Sequence, residues 1–504
     1  MSFDYNNGPA PTTRRRRSRT LEEETGTRYG VPGLGGVISL DDGVKLVICM
    51  CGVIGCGKTF IAQKIRRFLN WKGYRCQVFT VNETRKTKFP QYAVVPAEFF
   101  DYKNEEALKI REAIEDCTLN DIFRYLNTGG QVAILDNSSV RKVDRDRIEQ
   151  RILDEPNCHA PLWIEMQLND PELRRTKFRE EKLDSVEYLG LDEEEALQKF
   201  EKKAQYYYDV YQSLDNNEEV NRSYCIYDMS EQKRKRFILN NIRGYLATNI
   251  ISLVINLHPA PHPIYITRHG QTTYNLEDRI GGDSMLSLYG QQYARELAKY
   301  ISTLEECDPN KLAVWTSKLR RTIQTAEQIE CYSRVKWSAL NEIDAGICED
   351  LTYAEMGVKY PDLSSQRKKD KLNFRYPQGE SYNDLIERLE PVIFELERTT
   401  KPTIVVSHQA TLRCLLAYFI DKPKEEIPYL PIPLHTLIRI TPKANCCEEE
   451  RFVFLPVDPQ TYPPLSLLSK PDTNNNDMNE TIEENEEDEE DQNKNQNETH
   501  SIEC

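Results

Sequence analysis

The sequence predicts an α/β protein of two doubly wound domains, each a mostly parallel sheet covered by helices on both faces. Two observations favour this class. Short apolar strand segments alternate with amphipathic helical segments, and a Pro-rich segment at 258–263 interrupts this alternation before a second series restarts it. The length of 504 residues is sufficient for two to four domains of roughly 100–200 residues each.

The first series of elements runs from residue 45 to residue 214. Its strands are apolar runs of four to seven residues, and its helices repeat apolar residues at three- to four-residue spacing. The predicted strands are 45–51, 77–81, 132–135 and 162–167. The predicted helices are 58–69, 105–126, 143–153 and 193–214. Strands separated by helices are expected to pair in parallel.

The second series begins at residue 264 and has the same alternation. Its predicted strands are 264–267, 312–316 and 403–407. Its predicted helices are 289–304, 319–329, 383–398 and 412–420. No internal repeat relates the two series, so we expect two different α/β domains.

The formal net charge of -15 is unevenly distributed. Residues 1–36 carry six Arg against four acids and lack periodicity, whereas residues 471–504 carry thirteen acids and one Lys. Both segments are predicted to be disordered. The remainder is mildly acidic, which argues against nucleic acid as a partner. The resulting layout is an arm at 1–36, domains at 37–258 and 264–455, and a tail at 471–504.

Two further features point to a cytoplasmic protein. The fourteen Cys show no CxxC pair and no zinc spacing, which is typical of reduced thiols. No apolar run approaches the roughly 18 residues of a membrane span. The basic cluster at 14–17 beside Ser18 and Thr20 is either a phosphorylation or import signal or simply a solvated arm.

A candidate nucleotide site follows the first predicted strand. Gly52, Gly55 and Gly57 precede Lys58 and Thr59, which open a predicted helix. Such glycines let backbone N–H groups surround a phosphate chain, the Lys supplies a positive charge, and the Thr hydroxyl can ligate magnesium. The alternative is a glycine-rich turn followed by a chance Lys-Thr, but the strand and helix context favours nucleotide binding.

Asp136 directly follows the apolar run 132–135. A carboxylate at this point of a nucleotide-binding sheet can hold the metal ion that accompanies the nucleotide. An Asp at a strand end is also a common helix N-cap, and the residue alone does not decide between the two roles.

Two of the seven His residues follow apolar strands of the second series. Arg268 and His269 follow the strand at 264–267, and His408 follows the strand at 403–407. If these strands are parallel, both imidazoles lie at the carboxyl edge of one sheet, where open α/β folds bind ligands. A single His there is more often a packing or capping residue, but two beside an Arg favour a site.

These residues suit phosphoryl transfer. An imidazole attacks phosphorus when its second nitrogen is held by a neighbour, and Arg binds phosphoryl oxygens in a bidentate manner. Arg321 follows the strand at 312–316 and is the expected second Arg. Glu342 is the candidate general acid for the leaving oxygen. No metal is required, because Arg268, Arg321 and His408 can balance the charge.

Arg268, His269 and Gly270 resemble the signature of the histidine phosphatase superfamily, which has a phosphoglycerate-mutase-like fold. Combined with the phosphate loop of the first half, which has a P-loop NTPase-like pattern, the chain resembles the 6-phosphofructo-2-kinase/fructose-2,6-bisphosphatase family over about residues 43–455. Matching stretches in the second half are Gly281 to Ser284, Trp315 to Ser317, Thr322 to Glu327, Asn341 to Gly346, Tyr376 to Tyr382, Arg388 to Val392 and Leu412 to Tyr418.

For the second half, the resemblance implies that His269 is the nucleophile that becomes phosphohistidine and that Glu342 is its proton donor. The residues implied to hold the transferring 2-phosphoryl group are Arg268, Asn275, Arg321 and His408. Those implied to hold the sugar and the 6-phosphate are Arg279, Tyr353, Arg367, Lys371, Tyr382, Gln409 and Arg413. Gln271, where the family usually has Glu, is a mild departure.

The first half departs further from the family. It keeps Lys58, Thr59 and Asp136, together with the implied fructose 6-phosphate and ATP residues Arg85, Arg111, Lys182 and Tyr207. The family's VGxYRR stretch is changed at 81–86, and its DATNTT stretch keeps only a hydroxyl at Ser138. Lys177 stands at an adenine-contacting Asn position, and Lys203 at a sugar-phosphate Arg position. An Arg-to-Lys change at a bidentate phosphate site is not conservative.

The sequence therefore predicts an enzyme of fructose 2,6-bisphosphate metabolism and of glycolysis regulation with a complete phosphatase site. The kinase half is implied to use ATP and Mg²⁺, and the phosphatase half no cofactor. The expected partners are sugar phosphates and ATP, with no nucleic acid or membrane, and a homodimer is left open. Two alternatives remain: a histidine phosphatase for another sugar bisphosphate, and a nucleotide-binding regulatory domain fused to a phosphatase.

Overall fold

The structure is a computed structural model. It describes residues 45–456 except 157, 159, 182–186, 189, 216–218, 220, 232–233, 258–261 and 443–446. The predicted arm and tail, with Ser18 and Thr20, lie outside the described residues. Within those ranges, every helix is too short or too polar to cross a membrane, and none of the cysteines forms a disulfide.

The first sheet has six strands in the order β2-β3-β1-β4-β5-β6. The strands are β1 (Leu46–Cys51), β2 (Cys76–Thr80), β3 (Val132–Asp136), β4 (Leu162–Gln167), β5 (Ser223–Glu231) and β6 (Arg234–Asn240). All neighbours are parallel except β5 and β6. The helices of this half are α1 (Lys58–Lys72), α2 (Val81–Lys88), α3 (Glu105–Asn127), α4 (Lys142–Leu153), α5 (Pro171–Glu181), α6 (Glu193–Tyr208) and α7 (Tyr245–Asn256).

The second sheet also has six strands, in the order β12-β11-β7-β10-β8-β9. The strands are β7 (Ile264–Arg268), β8 (Ala313–Thr316), β9 (Ser333–Lys336), β10 (Thr403–Ser407), β11 (Thr436–Pro442) and β12 (Cys447–Val453). The inner strands β7 to β10 are parallel, and β11 and β12 are antiparallel. The helices are α8 (Thr273–Leu276), α9 (Leu288–Ile301), α10 (Arg320–Ala326), α11 (Tyr353–Lys359), α12 (Pro361–Lys369), α13 (Tyr382–Arg398) and α14 (Gln409–Phe419).

The predicted α/β class with two sheets is confirmed, and each predicted strand corresponds to an observed one. The helix predicted at 193–214 is wrong at its end, because α6 stops at Tyr208. The following residues turn towards the sheet, where the backbone N–H of Leu214 donates to Glu165 at 2.8 Å. Glu165 is fully buried in β4, so satisfying this carboxylate favours the turn over further helix.

Helix α1 joins the two halves through contacts with α13 and α14. The indole Nε1 of Trp71 donates to the carbonyl of Cys414 at 2.8 Å, and its ring meets that of Tyr418 edge to face. Lys64 donates to both carboxylate oxygens of Glu397, at 2.7 and 2.9 Å, in a buried ion pair. The helix that follows the phosphate loop therefore packs on the helix that follows His408.

Candidate active sites

The glycines after β1 form a tight loop before α1. Gly52 and Gly57 have φ angles of 125° and 87°, in the left-handed region. A Cβ atom at Gly52 would lie 2.3 Å from the backbone oxygen of Met166. The loop therefore requires glycine at this position, as expected for a backbone that surrounds a phosphate chain.

Lys58 and Thr59 begin α1 at the carboxyl edge of the first sheet. The Lys58 ammonium donates to the carbonyls of Gly52 and Val53, both at 2.9 Å. The Thr59 hydroxyl donates to Asp136 Oδ2 at 2.8 Å. A hydroxyl beside a carboxylate is a set of oxygen ligands that suits Mg²⁺. The predicted loop, its Lys and the two candidate metal ligands are thus brought together.

A cavity of about 600 Å³ opens beside this loop. The predicted residues Arg85, Arg111 and Tyr207 line it, whereas Lys182 lies outside the described residues. Arg85 NH1 donates to the carbonyl of Ala93 at 2.9 Å, and Arg111 NH2 donates to that of Asp101 at 3.2 Å. Both predicted sugar-site arginines therefore contact backbone oxygens in this structure.

A buried carboxylate that sequence reasoning missed stands among these cations. Glu187 Oε1 lies 2.9 Å from the ammonium of Lys203, and its Oε2 lies 3.7 Å from Arg85. Burial raises the pKa of Glu187, but Lys203 and Arg85 outweigh this and the net pKa is lowered. Two cations of the cavity are thus offset by an ionised Glu. No sequence motif marks this contact.

A second missed carboxylate, Glu115 on α3, lines the same cavity. It accepts hydrogen bonds from Asn137, next to Asp136, and from Arg147. Burial raises the pKa of Glu115 to about 7. The cavity of the first half therefore carries acidic groups as well as the cations that a phosphorylated ligand needs.

In the second half, His269 and His408 lie at the ends of adjacent parallel strands. Ser407 in β10 pairs with Arg268 in β7, so the two histidines follow at the same level of the sheet. Their ring centroids are 5.2 Å apart, and both rings are buried. His269 and His408 therefore lie together at the carboxyl edge of the sheet, where the sequence predicts them.

The His269 ring is held through one nitrogen. Its Nδ1 lies 2.8 Å from the carbonyl oxygen of Gly270, so Nδ1 carries the proton and Nε2 keeps its lone pair. Burial, and then Arg321 and Arg268, hold the pKa of His269 well below its ordinary value. The imidazole is therefore neutral at pH 7, the state in which it can act as a nucleophile.

His408 is held through both nitrogens. Arg321 Nε donates to its Nδ1 at 3.2 Å, and Nε2 then donates to the hydroxyl of Ser317 at 2.8 Å. Burial, Arg321 and His269 lower the pKa of His408 well below its ordinary value. Ser317 was not singled out as a site residue, although it lies in one of the stretches that resemble the family.

Arg268 and Arg321 flank the histidine pair, and both are buried. Arg321 NH1 donates to the carbonyl of Gly282 at 2.6 Å. Glu342 Oε1 accepts from the backbone N–H groups of Ile343 and Ala410 at 3.0 and 3.3 Å, which places its carboxylate at the start of α14. The two histidines, the two arginines and the Glu342 carboxylate thus lie close together at this edge of the sheet.

A second group of cations lies nearby, at Arg367, Lys371 and Arg413. Arg413 donates to the carbonyl of Leu430 at 2.7 Å and to the hydroxyl of Tyr382 at 3.3 Å. Burial, and then Arg413 and Arg367, lower the pKa of Lys371 to about 7. The Arg367 guanidinium lies 5.2 Å from the ring centre of Tyr353. A bound anion would relieve the repulsion among these three cations.

Two predicted residues, Asn275 and Arg279, have local partners instead. The Asn275 side chain accepts from the backbone N–H of Thr272 and caps α8, and Arg279 pairs with Glu277 at 2.6 Å. Gln409 is half-buried at the first position of α14. Among the described residues, no hydrogen bond connects Asn275 or Arg279 to His269 or His408.

Nowhere in the described part of the chain are three or more His, Cys, Asp or Glu side chains grouped so that they could bind a metal ion.

Comparison with known proteins assigns each half separately. The family model for 6-phosphofructo-2-kinase matches residues 35–261, and that for the histidine phosphatase superfamily (branch 1) matches residues 264–454. The 6-phosphofructo-2-kinase/fructose-2,6-bisphosphatase of Gallus gallus is 40% identical over 414 residues, 82% of this chain and 85% of that protein. Form 3 from Homo sapiens is 41% identical over 409 residues, 80% of this chain and 76% of that protein. Form 4 from Rattus norvegicus is 40% identical, with 82% and 85% covered.

Proposed function

The chain belongs to the 6-phosphofructo-2-kinase/fructose-2,6-bisphosphatase family, and we propose that its second half hydrolyses the 2-phosphate of fructose 2,6-bisphosphate. One observation carries this proposal: the second half has two separate groups of cations. Arg268 and Arg321 flank the neutral His269, and Arg367, Lys371 and Arg413 form the other group. A substrate with two phosphates satisfies both.

The reaction proceeds in two steps. The Nε2 lone pair of His269 forms a bond to phosphorus while the bond from phosphorus to the sugar O2 breaks, and Glu342 gives its proton to that oxygen. Both contacts of Glu342 are to Oε1, so Oε2 is assigned to the leaving oxygen. Water then attacks the phosphohistidine, giving up a proton to Glu342, and free phosphate leaves with His269 neutral again.

The remaining site residues follow from the resemblance. Arg268, Arg321, His408 and Asn275 hold the transferring phosphoryl oxygens. The sugar and the 6-phosphate are held by Arg279, Tyr353, Arg367, Lys371, Tyr382, Gln409 and Arg413. The direct contact between Tyr382 and Arg413 supports placing sugar and phosphate side by side.

A substrate panel tests this choice of ligand against another sugar bisphosphate. Purified full-length protein is expected to release phosphate from fructose 2,6-bisphosphate with a kcat/KM at least about 100-fold above that for fructose 2-phosphate, which lacks the 6-phosphate. The second phosphate replaces repulsion among three cations by charge-assisted hydrogen bonds of about 1.5–3 kcal/mol each. A higher kcat/KM for a different sugar bisphosphate would assign the site to that compound instead.

For the first half, we propose binding of ATP with Mg²⁺ and phosphorylation of fructose 6-phosphate at O2. Gly52, Gly55, Gly57 and Lys58 would hold the phosphate chain, and Thr59 and Asp136 the metal ion, which would neutralise phosphate charge. The hydroxyl–carboxylate contact of 2.8 Å supports this fit. Arg85, Arg111, Lys182 and Tyr207 are carried over from the family as ligand residues. The domain limits 37–258 and 264–455 also remain proposals.

A second candidate function for this half is nucleotide binding with little phosphoryl transfer. Glu187 favours it, because this buried carboxylate already pairs with Lys203 and Arg85 in the proposed sugar-phosphate site. A phosphate group must compete with an ionised Glu for the same two cations, and this competition lowers the free energy that the phosphate gains on binding. In the loop that would hold ATP, the described partners of Lys58 are two backbone carbonyls and the Cys56 thiol, and none of them is a carboxylate.

Lys58→Met tests whether the loop binds ATP. We expect ATP affinity to fall about 10- to 100-fold, because a charge-assisted contact to phosphate is worth about 1.5–3 kcal/mol. Isothermal titration calorimetry on the full chain with MgATP measures this directly. Lys88→Met is the matched control, since its ammonium is exposed, pairs with Asp121 and does not line the cavity. Unchanged affinity in Lys58→Met would refute the assignment of the loop.

A further inference from the structure

His435 contacts the loop that carries His269, and the mechanism above does not use His435. It precedes β11 and is completely buried. Its Nε2 accepts a hydrogen bond from the backbone N–H of Gln271 at 3.2 Å. The donor belongs to the second residue after the proposed nucleophile, so His435 holds the nucleophile's own loop.

One peptide group connects the two histidines. The carbonyl of Gly270 accepts from His269 Nδ1 at 2.8 Å, and the N–H of the same peptide, contributed by Gln271, donates to His435 Nε2. A trans peptide is planar, and its C=O and N–H point in opposite directions. Holding the N–H end therefore fixes the direction of the carbonyl that sets the tautomer of His269.

The surroundings of His435 favour an acceptor role. Burial, and then Arg268, lower its pKa to about 4, so the ring is neutral near pH 7. Because Nε2 accepts, the proton is on Nδ1, and this buried nitrogen has no hydrogen-bond partner among the described residues. The fold also places His435 at a φ of 57°, in the left-handed region. An unpaired buried N–H and an unfavourable backbone angle call for an explanation beyond packing.

The ring also packs against two tyrosines of α9. Tyr289 and Tyr293 lie with their ring centres 5.0 and 4.9 Å from that of His435. The Tyr293 hydroxyl hydrogen-bonds to that of Thr267, one residue before Arg268. The imidazole therefore cannot swing away from Gln271 without disturbing the strand that ends at the active site.

We infer that His435 is a positioning residue for the phosphatase reaction, acting through the peptide between Gly270 and Gln271 to keep His269 Nε2 unprotonated and correctly oriented. This inference rests on the proposed function of the second half. It assigns His435 no contact with substrate. Its loss should slow formation of phosphohistidine and leave substrate binding largely unchanged.

The test compares His435→Phe with His435→Gln in the full-length protein. Phe keeps an aromatic ring beside the two tyrosines but cannot accept from Gln271, whereas the Gln amide oxygen can. We expect kcat and the single-turnover rate of phosphohistidine formation from fructose 2,6-bisphosphate to fall about 10- to 100-fold in His435→Phe. Losses of this size are typical when a residue that orients a metal-binding side chain through a hydrogen bond is replaced. KM should stay within about threefold of wild type, and His435→Gln should keep most of the rate.

Two results would overturn the inference: a His435→Phe rate equal to that of wild type, or equal losses in both variants. If His435→Phe does not fold, His435→Leu takes its place with the same outcomes. Tyr289→Phe keeps the ring beside His435, loses only its bond to the carbonyl of Pro456, and should leave the rate unchanged. A wild-type protein that forms no phosphohistidine would instead contradict the proposed function, so the two failures are distinguishable.

Discussion

His269→Ala is expected to abolish release of phosphate from fructose 2,6-bisphosphate, lowering kcat by on the order of 10⁴-fold or more. The Ala variant has no atom that can form the bond to phosphorus, and the flanking arginines bind the phosphoryl group without breaking its ester. The packing should tolerate the change, because among the described residues the ring hydrogen-bonds only to the adjacent carbonyl of Gly270. Phosphate release at saturating substrate measures the effect.

The matched control is His262→Ala. His262 belongs to the same half, and its Nε2 lies 3.2 Å from the carbonyl of Leu396, away from the strand ends that carry the histidine pair. This variant should keep wild-type phosphatase activity. If phosphate release is unchanged in His269→Ala, His269 is not the nucleophile, and the proposed two-step reaction is wrong.

Glu397→Ala is expected to lower the free energy of unfolding by about 3–5 kcal/mol. Glu397 on α13 accepts from Lys64 on α1 and from the hydroxyl of Tyr418 on α14, the latter at 2.8 Å. Burial raises the pKa of Glu397, but Lys64 outweighs it and the net pKa is lowered. Removing the carboxylate leaves the Lys64 ammonium buried without its counter-charge. Urea unfolding followed by circular dichroism measures the loss.

The double variant Lys64→Met/Glu397→Met provides the control. It removes both charges and fills the space with apolar side chains of similar length, so most of the stability should return. A Glu397→Ala protein within about 1 kcal/mol of wild type would show that water reaches Lys64, and that this contact does not hold the halves together.

The central strands of both sheets could be predicted because each is a short apolar run between helical segments. Strands β5, β6, β9, β11 and β12 were missed. Strand β12, for example, contains four consecutive charged residues, Glu448 to Arg451, and lacks the apolar run by which the other strands could be predicted. Such a pattern is weak in one sequence, and its pairing depends on the neighbouring strand. The end of α6 was missed for a similar reason, because it depends on Glu165 in a distant strand.

Some residues of the candidate sites could be predicted from the sequence, and others could not. Residues directly after apolar strands, such as His269, His408 and Asp136, could be predicted, since the carboxyl ends of parallel strands meet at one edge. Ser317, Glu187 and His435 could not, because each acts through a contact with residues far along the chain. Glu187 contacts Arg85, and His435 contacts Gln271. Neither pairing has a spacing that a sequence could reveal.

The net charge of -15 also concealed the chemistry of the second half. The acidic tail carries most of the excess, whereas Arg367, Lys371 and Arg413 are grouped in the second half, where burial and then the two arginines lower the pKa of Lys371. A protein that is acidic overall can therefore carry a local group of cations suited to a phosphorylated ligand, because the local charge and not the net charge determines such binding.

The most direct test of an intact phosphatase beside a weakened kinase is a paired assay on one preparation of the full-length protein. Phosphate release from fructose 2,6-bisphosphate and its synthesis from ATP and fructose 6-phosphate are measured under the same conditions. We expect hydrolysis to exceed synthesis by about two orders of magnitude, which corresponds to a few kcal/mol lost at the Lys203 and Glu187 site. Synthesis that equals or exceeds hydrolysis would contradict this assignment of the two halves.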